Sequence, residues 1–125
     1  MHSNPHTIAH NESLADAKKL MSSHNIRHLP VRKAGEVIGI ISDRDIEFAM
    51  RMDKKEASEI NVEDALTEEP YSVKPNTLLS EVATTLSHLK YGSALVMEEN
   101  KLVGIFTTTD ACRVLAEILS GKLEQ

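Results

Sequence analysis

Gly39-Ile40-Ile41-Ser42-Asp43-Arg44-Asp45 ends an apolar run on Ser-x-x-Asp, and Gly104-Ile105-Phe106-Thr107-Thr108-Thr109-Asp110 does the same 65 positions later. The same offset carries Pro5-His6-Thr7-Ile8 onto Pro70-Tyr71-Ser72-Val73 and Val31 onto Val96. Asn11, Leu14, Ser22 and Ile40 recur unchanged at Asn76, Leu79, Ser87 and Ile105. The register holds without a gap from Pro5 to about Ala49. Such a tandem repeat means two copies of one supersecondary unit, each too small to bury its apolar face alone. Two copies of this kind pack about a pseudo-two-fold axis, and the cleft between them is where a ligand would sit.

Each copy reads as β-α-β-β-α, an α/β (α+β) pattern. Residues 6–9 form a short extended stretch, and Asn11 or Ser13 caps a helix whose inner side carries Leu14, Ala17, Leu20 and Met21. Residues 28–33 and 36–41 are two strands joined at Ala34-Gly35. A second helix follows Ser42, with Ile46, Ala49 and Met50 facing inward. The second copy repeats this order, with a helical stripe of Leu79, Val82, Ala83, Leu86 and Leu89 and strands at 93–97 and 101–106. Its last helix is expected to bury Ala111, Val114, Leu115 and Ile118. The charged stretch 51–61 reads as the connection, and 62–66 as a short helical turn. The expected division is therefore 1–60 for the first repeat with its connector and 61–125 for the second. Because Met1 aligns with Leu66, the first copy lacks a counterpart of that turn, so the chain reads either as a fragment or as a pair with a trimmed first repeat. Gly39 and Gly104, inside apolar strands, read as packing clearance rather than as close approach by a neighbouring backbone.

The 125 residues include 41% apolar but only 3% aromatic ones, so the core is aliphatic. A net charge of −5, with no run of Lys and Arg, argues against nucleic acid as a main partner. No apolar stretch approaches the ~20 residues that span a bilayer, and no signal-peptide pattern opens the chain. The single Cys112 forms no intrachain disulfide, which suits a reducing cytoplasm.

The junctions carry two readings of the same residues. In one, Ser42-x-x-Asp45 is a helix cap, stabilising by roughly 1 kcal/mol, and needs no ligand. In the other, N–H groups at the helix start attract phosphate, and a carboxylate one turn in accepts both hydroxyls of a ribose. Thr107 and Asp110 hold the same positions in the second copy. Arg27, His28 and Arg44 are candidate phosphate cations, His28 adding full charge only below about pH 6.5 unless its pKa is raised. The second copy has Gly92, Ser93 and Thr109 at these positions, so it supplies no such cation there.

The repeat, with Ile26-Arg27-His28-Leu29-Pro30-Val31 leading to Ser42-Asp43-Arg44-Asp45, closely resembles a CBS domain, and the pair resembles a Bateman module over essentially the whole chain. The first copy is similar to small stand-alone bacterial CBS-pair proteins, including the acetoin-utilisation type. The second has drifted, with Leu95 in place of the proline. The resemblance implies a regulatory module that binds an adenosine ligand such as AMP, ADP, ATP or S-adenosylmethionine. It implies that Asp45 holds ribose and that Ser42 lies near phosphate. Adenine would lie against the first strand, with Thr7, Ile8 and Ala9 as wall and Leu29 and Pro30 as floor. Ser72, Val73, Lys74, Ser93, Ala94, Thr107, Thr109 and Asp110 make a weaker second site.

A homodimer through helical faces is expected, with Leu86, Leu89, Val114 and Ile118 as candidates. The rival reading is a ligand-free dimerisation or protein-interaction module with a partner of unknown identity. Histidines recur every four residues at His2, His6, His10 and at His24, His28, but each set is broken by extended chain, so no metal site is expected. No nucleophilic triad or Gly-rich phosphate loop appears, and no enzyme activity is expected.

Overall fold

A computed structural model describes residues 2–121. In chain order its elements are β1 (His2–Ser3), β2 (Ile8–Ala9), α1 (Leu14–His24), β3 (His28–Lys33), β4 (Glu36–Ser42), α2 (Asp43–Asp53), β5 (Thr67–Glu68), β6 (Ser72–Val73), α3 (Leu79–Leu89), β7 (Ser93–Glu98), β8 (Lys101–Thr107) and α4 (Thr108–Leu119). Two 3-10 turns, Ala57–Glu59 and Val62–Asp64, lie between α2 and β5. The chain divides into two units, Pro5–Pro70 and a second made of residues 2–4 with 71–121. Among the described residues no helix is long and apolar enough to cross a membrane.

In the Pro5–Pro70 unit the sheet runs β2-β3-β4-β5. Its first pair is parallel, with Ile8 opposite Val31, and the others are antiparallel. Ala34 and Gly35 join β3 to β4 with φ of +52° and +80°, the two positive values that a type I′ turn requires. Alternation sends Leu29, Val31 and Ile41 into a core with Leu14, Ala17, Met21, Ile46 and Ala49. Pro30 and Ile40, paired across the ladder, take the opposite face. The segment read as a plain connection does more than connect. α2 continues to Asp53, and Ile60 and Val62 enter the core. Leu14 N donates to the Ile60 carbonyl at 2.9 Å and Val62 N to that of Glu12 at 2.8 Å. Glu63 adds a hydrogen bond with His10 Nδ1 at 3.0 Å and an ion pair to Lys33 at 2.9 Å.

The second unit has the order β1-β8-β7-β6, with the same pairings and the same register. Its turn residues Glu99 and Asn100 also have positive φ. Its core is smaller, built on Val82, Leu86, Ala94 and Phe106. Leu79 is 46% exposed where its counterpart Leu14 is 0%. Leu89 is exposed as well, so only Val82 and Leu86 of the expected α3 stripe are buried. The expected burial along α4 is corrected too: Leu115 is 55% exposed, Ala111, Val114 and Ile118 are half-buried, and Asp110 is the helix's buried residue.

Each sheet takes its short antiparallel edge strand from the segment that precedes the other repeat. Thr67 and Glu68 lie opposite Ile40 and Gly39, while His2 and Ser3 lie opposite Ile105 and Gly104. This pairing explains Gly39 and corrects the packing reading. A Cβ there would meet the Thr67 carbonyl oxygen at 2.5 Å and Leu66 Cδ1 at 2.8 Å, so the glycine admits a neighbouring backbone. Gly39→Ala is expected to lower the urea-unfolding free energy by about 1–3 kcal/mol, mainly as a lower midpoint with unchanged slope.

Candidate functional site

The site is built where β4 turns into α2. Ser42 keeps extended geometry, φ −111° and ψ 167°, and the helix starts at the next residue. Asp45 N donates to Ser42 Oγ at 3.2 Å, and Ser42 N donates to Asp45 Oδ2 at 2.9 Å. This reciprocal pair is a capping box. The other N–H groups of the first turn are also taken, Asp43 N by the Arg27 carbonyl at 3.0 Å and Arg44 N by Asp43 Oδ1 at 2.9 Å. The expectation that free helix-start N–H groups cradle phosphate is therefore corrected. The main chain here is already satisfied.

Asp45 remains half-exposed, and its second interaction is weak. The Thr67 hydroxyl on β5 reaches both carboxylate oxygens, Oδ1 at 3.3 Å and Oδ2 at 3.4 Å. Thr67 was not anticipated from the sequence. Its position in the repeat pairs it with His2, and only the ladder to β4 brings it beside Asp45.

The remaining candidates separate by strand parity. Ile8 and Leu29 point into the core and can offer a ligand only main chain, so Leu29 as an apolar floor is corrected. Pro30 lies on the opposite face of β3 but is also fully buried, so it offers no open floor either; half-buried His28 shares that face, as does exposed Ala9 on β2, next to half-buried Thr7. Pro30 has no N–H. At the equivalent register Leu95 N donates to the Tyr71 carbonyl at 2.8 Å, a bond whose counterpart to the His6 carbonyl cannot form. The expected cation cluster is split as well. Arg27 lines a shallow groove of about 240 Å³ between α1 and α2, with Lys18, Asp43 and Glu47, while His28 faces the other way opposite Ser42. Arg44 is exposed on the first turn of α2.

Burial pushes the His28 imidazole below its ordinary 6.5, outweighing the pull of Asp43 and Asp45, and Arg27 and Arg44 add to the depression. His28 is therefore neutral at pH 7 and contributes no phosphate charge there. The other histidines are dispersed: His6 stacks on His24 with ring centroids 3.6 Å apart, and His10 bonds Glu63.

The second junction repeats the box, with Asp110 N on Thr107 Oγ1 at 3.1 Å and Thr107 N on Asp110 Oδ2 at 2.9 Å. Thr108 N reaches the Gly92 carbonyl at 3.1 Å, as Asp43 N reaches Arg27. Here the carboxylate is only 1% exposed and its Oδ1 is ion-paired with Arg113, a residue the sequence reading did not single out. Around it, Ser93 and Ala94 are buried and Val73 is half-buried. Ser72, Lys74 and Thr109 are exposed.

A family model described as the CBS domain matches residues 1–51 and 62–117. The chain belongs to the CBS-domain family. A crystal structure of a Vibrio cholerae protein linked by name to acetoin utilization superposes with a TM-score of 0.85, at 31% identity over 100% of this chain and 94% of that one. The CBS domain pair of protein MJ0100, solved with 5′-methylthioadenosine and S-adenosyl-L-methionine, gives 0.79 at 30% identity, over 90% and 93% of the two chains. Inosine-5′-monophosphate dehydrogenase of Korarchaeum cryptofilum is 30% identical over 105 residues, which are 83% of this chain and 21% of that enzyme. The chain thus spans about a fifth of the length of the first curated relatives it matches.

Because His28 resists protonation when folded, the unfolded chain takes up its proton first. That part of the stability is intact above about pH 6.5 and falls as the pH drops below it. His28→Gln is expected to lose less stability than wild type between pH 7.5 and 5.5, read from urea midpoints at the two pH values.

Proposed function

We propose that the chain is a ligand-sensing module in which the Pro5–Pro70 unit binds an adenosine-containing molecule, with Asp45 accepting the ribose hydroxyls. The observation that carries this is the state of the Asp45 carboxylate. It is half-exposed at a helix mouth, and Oδ1 faces nothing stronger than a neutral hydroxyl at 3.3 Å. A vicinal diol can replace that contact at little cost. Ala9 and fully buried Pro30 lie on the same face of the sheet, and because Pro30 has no donor, the His6 carbonyl of the first strand keeps its acceptor capacity for an adenine edge. The ligands solved with the MJ0100 pair are of this chemical class.

Within that class the site favours little phosphate. The helix-start N–H groups are used internally, His28 is neutral, and Arg27 sits on the helical side, so Ser42 and Arg44 are what remain for an anion. AMP and S-adenosylmethionine fit this better than ADP or ATP. Binding regulates by differential affinity: a ligand that prefers one of two arrangements of a dimer or partner complex shifts the population toward it. Exposed Phe48 and Met52 on α2, and Leu115 and Leu119 on α4, are apolar side chains suited to self-association, which supports a homodimer. Leu86, considered for that role, is buried in its unit's core.

The second reading, an interaction module without a ligand, draws on the completeness of the capping boxes, which need no added group. Thermal melting separates the two. A ligand at 100 times its Kd adds about 2.7 kcal/mol, so millimolar AMP or S-adenosylmethionine is expected to raise Tm by several degrees and ATP by less. Asp45→Asn is expected to abolish the shift while retaining the fold. Unchanged melting with AMP, ADP, ATP and S-adenosylmethionine would favour the interaction module.

A further inference from the structure

We propose that Thr67 is the chain's own competitor for the ribose hydroxyls, so that a bound ligand takes Asp45 away from strand β5. The proposal rests on the reading of Asp45 as the ribose acceptor and adds what regulates that site. The Thr67 hydroxyl stands 3.3 Å from Oδ1 and 3.4 Å from Oδ2 of Asp45. A donor so nearly equidistant sits on the bisector of the carboxylate, bridging its two oxygens. A vicinal diol that donates to both oxygens straddles the same bisector. The cap takes up part of the remaining space, because Oδ2 already accepts from Ser42 N at 2.9 Å. Diol and threonine hydroxyl therefore contend for one place on Asp45.

What the hydroxyl holds gives the contest a consequence. β5 is two residues long, with Thr67 opposite Ile40 and Glu68 opposite Gly39, and it lies at the edge of its sheet. Thr67 itself is exposed, so burial adds little to its hold. The bond to Asp45 ties this strand to α2 and is a sizeable share of what fixes it. Beyond β5 the chain turns at Glu69, with φ of +54°, a value uncommon outside glycine. Pro70 follows as the last residue of its unit. Linkage is reciprocal: whatever the β5 contact costs the ligand, the ligand costs β5 by the same factor. Occupancy of the site and attachment of β5 thus oppose each other, and the segment that leads out of the unit reads the difference.

Titration calorimetry with AMP and, separately, S-adenosylmethionine tests this on the full chain, together with amide hydrogen exchange across residues 66–69. Thr67→Ala removes the competing donor and is expected to bind about two- to tenfold more tightly, the worth of one ordinary hydrogen bond. Thr67→Ser restores the donor and is expected to return to wild-type affinity. Asp45→Asn is expected to bind neither ligand, alone or combined with Thr67→Ala. In wild type, saturating ligand is expected to speed exchange across 66–69, and in Thr67→Ala to leave it unchanged. The exchange readout on the unaltered chain stands even if the alanine variant does not fold. Folded Thr67→Ala that binds equally or more weakly overturns the competition and leaves the Asp45 site standing, as does wild-type exchange that slows or stays constant with ligand. Binding that survives Asp45→Asn, or that is absent from both wild type and Thr67→Ala, overturns the Asp45 reading and the competition with it.

Discussion

At both strand-to-helix junctions a hydroxyl residue and an aspartate exchange hydrogen bonds with each other's main chain, and the neighbouring elements take their direction from that exchange. The box satisfies donors that a helix start would otherwise expose. A further bond, from Asp43 N to the Arg27 carbonyl or from Thr108 N to that of Gly92, ties the same turn to the approach of the middle strand. The junction thus fixes where the hairpin ends, where the helix starts, and which face of the sheet meets the carboxylate. The structural contact is complete without a ligand. What a ligand can use is whatever the cap leaves over.

The two copies leave over different things. In the first, the second carboxylate oxygen meets a neutral hydroxyl, the His6 carbonyl can receive no bond from Pro30, and the segment 60–62 seals Leu14 into the core. In the second, Arg113 takes the oxygen, Leu95 ties the Tyr71 carbonyl, and Leu79 stays open to solvent. The backbone hydrogen bonds at the two junctions match closely, so the divergence lies in side chains at equivalent positions. A duplicated fold can in this way give its two junctions different surroundings without altering its ladder.

Much of this was legible from residue order. The repeat offset, the strand limits at His28 and Glu36, the Ala34-Gly35 turn and the helix start after Ser42 all follow from local pattern and turn chemistry. The two junctions also differ in a way that the expected drift did not specify: Asp110 is ion-paired with Arg113, whereas Asp45 meets the Thr67 hydroxyl. What could not be read were contacts made by chain distant in sequence. Thr67 reaches Asp45, and Leu66 and Thr67 crowd Gly39, only because β5 pairs with β4. Ile60 sits in a charged stretch with no period, so its burial had no signature. The scatter of Arg27 and His28 to opposite sides follows from strand parity, which a run of basic residues conceals. One signal was available and passed over: Arg113 lies three residues after Asp110, the spacing at which helical side chains meet.

The crossed edge strands bear on how such a pair could arise. A lone ancestral repeat would expose the rim of β4 beside Gly39, an edge shaped to receive main chain and unable to receive it from its own sequence. A repeat without its companion would have to take that strand from the leader of another copy. Fusing two genes end to end turns that encounter into an intramolecular one at high effective concentration.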